Sequence, residues 1–230
     1  MEKSRREIKF LLSHAEYLVI KSRIAALLAC DAHAGAEGYF VRSVYFDDLR
    51  DTAYKEKVNG VFNRRKYRLR TYNDNLTYIN LECKEKYNKW VEKRAARLDA
   101  VVCEALLQGE FGVIGDIDDD VVREFYVTAR ETGLRPAATV DYRREAFVYP
   151  ASRFRITFDK HLRAGNITGF SLARAEGEVS LPVFAHDNVI MEIKYDEFMP
   201  QAVRSVIPHE TGKALAVSKY CLCREIGAKM

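Results

Sequence analysis

Lys66, Arg68 and Arg70 stand at every second position of one short stretch, and Glu82, Lys84 and Lys86 do the same further along. Residues i and i+2 of a β-strand face the same side, so each trio forms a row on one sheet face. Guanidinium groups grip anionic oxygens in pairs and ammonium groups add compact point charges, so such rows suit an anion carrying several phosphates. Without that anion the cations repel one another, and an unpaired buried charge is costly. The habit recurs in Tyr142 with Arg144, Arg153 with Arg155, Glu192 with Lys194, and Glu7 with Lys9. Strands with repeated basic rows suggest a sheet curved around a polyanion instead of an apolar core.

The elements that must position these rows are legible from period and punctuation. Alternation predicts strands over 5–12, 39–46, 61–72, 77–86, 140–149, 154–159 and 189–195. Ser13 can cap a helix running to about Leu28, and Asp47-Asp48 begins a turn or short helix carrying Tyr54. Asn59-Gly60 reads as a hairpin turn into the strand that holds Lys66. A 3.6-residue period predicts helices over 98–107 and 121–132, with a polar loop at 109–120 and Gly133 as a stop. A C-terminal helix over 213–226 would carry Ser218, Lys219 and Tyr220. Short strands with tight turns and inserted helices argue for a largely antiparallel α+β domain spanning residues 1–230.

The totals bound the class. With 230 residues and 48% hydrophobic content the chain can bury a substantial core. The net charge of +4 is unevenly spread: residues 64–97 hold eleven basic and four acidic side chains, whereas 98–133 hold two basic and nine acidic. That split fits a basic binding face and a solvated acidic helical face elsewhere. Five cysteines without CxxC spacing indicate neither a disulfide framework nor a structural zinc site, and fit a reducing cytoplasm. The histidines, His209 among them, show no ligand spacing, and Asp118-Asp119-Asp120 reads as polar loop before it reads as a metal site. No apolar run reaches membrane-spanning length, so a soluble cytoplasmic protein is expected, with peripheral membrane association open.

The stretches Ser43-Val44-Tyr45-Phe46-Asp47, Lys66-Tyr67-Arg68-Leu69-Arg70, Leu81-Glu82-Cys83-Lys84, Tyr142-Arg143-Arg144-Glu145-Ala146-Phe147, Arg153-Phe154-Arg155-Ile156, Met191-Glu192-Ile193-Lys194-Tyr195 and Ser218-Lys219-Tyr220 come in a specific order. In that order they resemble the vacuolar transporter chaperone (VTC) domain, the polyphosphate polymerase branch of the CYTH-like triphosphate tunnel metalloenzymes. The resemblance runs from about residue 5 to 224. It implies an antiparallel β-barrel or tunnel with helices packed outside and a C-terminal helix, whose bore binds ATP and guides polyphosphate. By resemblance Arg68, Arg70 and Lys84 would hold nucleotide phosphates, with Arg144, Tyr142 and Arg155 on the opposite wall and Lys219 beside Ser218 on the terminal helix. Glu192 resembles the metal-binding glutamate, for Mn²⁺ or Mg²⁺, although pairing with Lys194 or with an arginine across the barrel is its plain alternative. Lys9 resembles the lysine of the first strand. After Trp90 the run 92–97 resembles a family loop that carries one further lysine; Lys93, Arg94 and Arg97 are all eligible, and Arg94 is favoured.

The implied activity is transfer of the γ-phosphoryl group of ATP to a growing polyphosphate chain, with ADP released and a separate membrane protein as a possible recipient of the product. Two other readings use the same residues. A triphosphatase would use water as acceptor, but such enzymes usually carry an ExExK first strand, of which Glu7-Ile8-Lys9 is half. A polyanion-binding module without turnover, for RNA for example, lacks the stacking aromatics of single-strand readers here. Lys66 and Lys86 could equally be solvated strand edges.

Overall fold

Strand alternation at the N-terminus hands over to a helix at Ser13, and the handover is a full capping box. The Ser13 hydroxyl accepts from the Glu16 amide at 3.3 Å while a Glu16 carboxylate oxygen accepts from the Ser13 amide at 2.7 Å. The computed structural model describes residues 6–35, 37–88, 90–149, 154–165, 169–196, 199, 201–207 and 217–229. Arg153, His209 and the expected helix start at Lys213 lie outside the described residues.

The chain runs β1 (Arg6–Leu12), α1 (His14–Ala25), β2 (Ala29–Cys30), β3 (Tyr39–Asp47), α2 (Thr52–Val58), β4 (Arg64–Tyr72), β5 (Ile79–Tyr87) and β6 (Trp90–Leu98). It continues through α3 (Ala100–Leu107), a 3-10 turn (Phe111–Ile114), α4 (Asp120–Thr132), β7 (Arg135–Val148), β8 (Arg155–Gly165) and β9 (Ser180–Pro182). β10 (Val189–Tyr195), α5 (Gln201–Arg204) and α6 (Lys219–Gly227) complete it. The residues form two compact units, 1–40 with 142–162 and 184–217, and 41–141 with 163–183 and 218–230.

In the first unit β1 and β8 flank β10 antiparallel, and β2 pairs the end of β7. Phe154, Ile156, Phe158, Val189, Met191 and Ile193 pack with Tyr17, Ile20 and Ile24 of α1. Alternation therefore turns Arg155, Thr157, Asp159, Glu192 and Lys194 to the other face. In the second unit β3, β4, β5 and β6 form an antiparallel run. Val44, Phe46, Tyr67, Leu69, Leu81, Cys83 and Ala96 pack on Cys103 and Leu106 of α3 and on Val122, Phe125 and Ala129 of α4. The opposite face carries the alternate residues, which on β4 to β6 are mostly basic.

Two local expectations change. Asn59-Gly60 does not turn a hairpin: Asn59 closes α2, and Gly60, at φ 72°, donates to the Lys57 carbonyl while Val61 donates to that of Glu56. The same residues that favour a type I′ turn also favour a helix C-terminus with a left-handed glycine. The run after Trp90 is a strand, β6, registered along the whole of β5 through a turn at Asn88 with φ 54°. The polar aspartate run stays loop up to α4: Asp119 accepts from the Val121 and Val122 amides and caps the helix, while Asp118 and Asp120 pair with Arg123.

Asp47 ties the second unit together. Its Oδ1 accepts from the Ala53 amide at 2.8 Å and its Oδ2 from the Tyr54 amide at 3.0 Å, so it caps α2, whose own N-cap residue Asp51 makes no side-chain cap bond. The Tyr220 hydroxyl of α6 donates to the same carboxylate. Asp47→Ala strands two helix amides and a buried hydroxyl, and is expected to lower stability by about 3 kcal/mol in urea unfolding. A loss under about 1 kcal/mol would mean that water replaces the carboxylate without penalty.

Candidate functional site

Strand register decides which side chains become neighbours. Across β4, β5 and β6, Lys66 stands opposite Lys84 and Lys84 opposite Lys93, so three lysines share one row. The next row along is Tyr45, Arg68, Glu82 and Ala95; the one after is Ser43, Arg70, Asn80 and Arg97. Like charges directly opposite one another destabilise a sheet. Glu82 is the one acidic residue that alternation places on this face of β4 to β6, among Arg64, Lys66, Arg68, Arg70, Lys84, Lys86, Lys93 and Arg97.

Glu82 is 1% exposed and gathers the nearest cations. Its Oε2 accepts from Arg68 Nε at 2.7 Å and lies 3.8 Å from Arg70, and its Oε1 is 2.7 Å from Lys93 Nζ. Burial would push its carboxyl up, but Arg68, Arg70 and Lys93 outweigh burial and hold it far below the usual carboxylate range. Arg68 also donates to the Tyr45 hydroxyl at 2.5 Å, and Arg70 Nε to Ser43 Oγ at 2.9 Å. Burial alone would raise the Tyr45 hydroxyl; Arg68 and Arg70, helped by Lys66, bring it down to about 8.

α6 meets this face through its first turn. Tyr220 stacks on Tyr45 with centroids 5.0 Å apart, and Lys66 lies 4.7 Å over the Tyr220 ring with its Nζ 3.4 Å from the Ser218 hydroxyl. Lys66 is therefore no solvated edge, and burial pushes its ammonium down to about 8. Ser218 caps α6 by accepting from the Cys221 amide, and Lys219 is the first helical residue.

In the first unit the face is a chequerboard. Lys9, Glu192 and Thr157 form one cross-strand row, and Glu7, Lys194 and Arg155 the next. Glu192, 6% exposed, lies 3.0 Å from Lys194 and 3.9 Å from Arg144, while Lys9 lies 2.7 Å from Glu7. Arg144 forks onto Asp159 at 2.6 and 2.8 Å and sits 5.2 Å over the Tyr142 ring. Arg155 reaches Asp31 at 2.9 Å and the Tyr39 hydroxyl at 3.2 Å.

The expected residues thus fall in two groups. Arg68, Arg70 and Lys84 share one face with the N-terminal turn of α6, where Ser218 and Lys219 lie; Lys9, Tyr142, Arg144, Arg155 and Glu192 share the other unit's polar face. Arg94 belongs to neither. It turns to α4, 2.6 Å from Glu124 and 3.4 Å from Glu85, because it alternates with Lys93, and Lys93 is the residue of the 92–97 run that reaches Glu82. Tyr45, Glu82, Tyr220 and Thr157 join these faces without being among the expected site residues, and Lys93, one of the three eligible residues of the 92–97 run, joins them in place of Arg94. For Tyr45, Glu82 and Tyr220 a signal was present, since each lies inside one of the ordered motifs.

No group of three or more possible metal ligands occurs among the described residues. Those residues therefore do not make an all-protein cage. Glu192, whose carboxylate is held by Lys194 at 3.0 Å, would serve a divalent ion only together with ligands from outside the protein, such as phosphate oxygens.

Together these features define an antiparallel α+β protein with one sheet face rich in arginine and lysine around Glu82 and another on which basic and acidic side chains alternate. The chain belongs to the VTC domain family, whose pattern matches residues 4–226. Its fold is similar to that of a Bacillus halodurans protein described as a candidate adenylate cyclase, at 12% identity and TM-score 0.52, covering 94% of this chain and 93% of that one. A Pyrococcus horikoshii protein is similar at 15% identity, 96% and 99% coverage and TM-score 0.48. A Vibrio parahaemolyticus candidate adenylate cyclase follows at 12% identity, 89% and 83% coverage and TM-score 0.46. A comparison with curated proteins gave no match. Among the described residues no helix is long and apolar enough to cross a membrane.

Proposed function

We propose that this protein is an ATP-dependent polyphosphate polymerase, transferring the γ-phosphoryl group of ATP to the end of a polyphosphate chain and releasing ADP. The observation that carries this reading is the Lys66–Lys84–Lys93 row beside Arg68 and Arg70, a surface whose self-repulsion a chain of phosphates relieves and a single carboxylate does not. Phosphoryl transfer asks for in-line positioning and charge neutralisation more than covalent help. In this reading Arg68, Arg70, Lys84 and Lys93 hold phosphate oxygens on one face, Arg144 and Arg155 do so on the other, and Lys219 adds charge at the start of α6. Glu192 would hold Mn²⁺ or Mg²⁺, which when bound neutralises charge on the phosphate oxygens. A cytoplasmic location at the inner face of a membrane, with a separate membrane protein taking the product, belongs to the same proposal.

The test is incubation of the purified protein with ATP and Mn²⁺ while ADP, free phosphate and long-chain polymer are followed together. ADP with polymer and little free phosphate is the expected result. ADP with an equal amount of free phosphate would replace the polymerase by a triphosphatase, and absence of turnover would leave a binding module.

A further inference from the structure

Two buried polar atoms of β8 have no hydrogen-bond partner: the Thr157 hydroxyl and Arg155 Nε. They belong to residues i and i+2 of one strand, so the two side chains leave the same face from Cα atoms about 7 Å apart. That face also carries Glu192, directly opposite Thr157 in the register, with Lys9 next in the row. Thr157 is 5% exposed. Buried hydroxyls are paired in the large majority of native structures, and Arg155 Nε can only donate. Arg155 is anchored by its Nη2 to Asp31 and Tyr39, which fixes the guanidinium while leaving Nε unused.

The neighbouring carboxylates are already engaged, Glu192 by Lys194 at 3.0 Å and Glu7 by Lys9 at 2.7 Å, so a buried hydroxyl and a guanidinium N–H without acceptors call for an anionic oxygen from outside the protein. We infer that Thr157 Oγ1 and Arg155 Nε form a phosphate-oxygen subsite on β8, with the threonine hydroxyl as a substrate-binding donor. The subsite rests on the reading of the protein as one that binds phosphate chains, and it names a residue that no basic motif marks. The hydroxyl rotates to donate, so the bond forms without moving the strand. Thr157→Val keeps the shape and β-branching and removes only the donor; Thr157→Ser restores it.

The experiment is calorimetric titration of inorganic tripolyphosphate into wild type, Thr157→Val and Thr157→Ser, with thermal melts of each free protein. Thr157→Val is expected to weaken binding about tenfold or more, since the bond lost is to a charged group, and to melt at or above the wild-type temperature because an unmatched polar atom has gone. Thr157→Ser is expected to bind within about threefold of wild type. Equal affinity of wild type and Thr157→Val overturns the subsite, as does a lowered melting temperature of free Thr157→Val with affinity unchanged. Tripolyphosphate bound by wild type without polymer synthesis from ATP would sink the polymerase reading and leave the comparison at Thr157 standing. Wild type that binds no tripolyphosphate overturns both.

Discussion

Lys84→Glu is expected to abolish polymer synthesis while leaving the folded protein as stable as wild type or slightly more so. The two effects have opposite signs because of the row in which Lys84 sits. Lys66 and Lys93 are its direct cross-strand neighbours, so a carboxylate at 84 turns two like-charge contacts into two attractive ones. Pairs of this kind are worth about 0.2–1 kcal/mol each in a sheet, which sets the size of the gain. Toward a phosphate chain the same change removes a charge-assisted contact worth about 1.5–3 kcal/mol and adds a repulsion of similar order. The combined loss of about 3–6 kcal/mol corresponds to about a hundredfold to ten-thousandfold in affinity. Synthesis assays and urea unfolding on one preparation decide the matter. Polymer made at more than about a tenth of the wild-type rate would remove Lys84 from the binding face.

Glu82→Ala should produce the largest stability loss on that face and should make stability depend strongly on anions. Glu82 is the buried counter-charge of Arg68 and Lys93, with Arg70 close by, and deleting one partner of a buried charge cluster costs about 3–5 kcal/mol. Arg68 and Lys93 are partly exposed, which places the expected loss toward the lower figure. Tripolyphosphate should then raise the melting temperature of Glu82→Ala more than that of wild type, because phosphate oxygens replace the missing carboxylate. The pH dependence has a definite sign. In the fold the Glu82 carboxyl is held below its usual value of 4.5, so its contribution is complete above that pH and is lost as pH falls toward the folded value. The stability difference between wild type and Glu82→Ala should stay level from about pH 8 to 5 and shrink in more acid solution. A difference that grows on acidification would show that the three cations do not stabilise the carboxylate.

Much of the local structure was legible. The 3.6-residue period with Asp119 before it and Gly133 after it marks α4, and the cap and the left-handed glycine at φ 68° stand where those residue types favour them. The alternation of Lys66, Arg68 and Arg70 against Tyr67 and Leu69 was legible for the same reason, since a strand's two faces are set by neighbouring residues alone. β6 was not legible. Its residues 92–97 are charged or alanine, poor in the β-branched and aromatic types that mark strands. It forms because β5 offers a partner along its full length, which no local window contains.

The placement of Arg94 shows the same limit from the side of function. A resemblance could bring the choice down to Lys93, Arg94 or Arg97, but one step of register separates a side chain at Glu82 from one at Glu124. Thr157 is the extreme case, ordinary in sequence and distinctive because its hydroxyl is buried beside Glu192 with nothing to bond.

The sequence by itself determined the antiparallel α+β class, the basic rows and the order of motifs, because period, caps and turn residues are properties of neighbouring residues. Only the tertiary structure decided that Lys66, Lys84 and Lys93 stand in one row, that Glu82 is the counter-charge of Arg68, Arg70 and Lys93, and that Tyr220 of α6 meets Asp47 of β3. Those are relations between segments far apart in the chain, and pairing register and packing, which act at long range, are what set them.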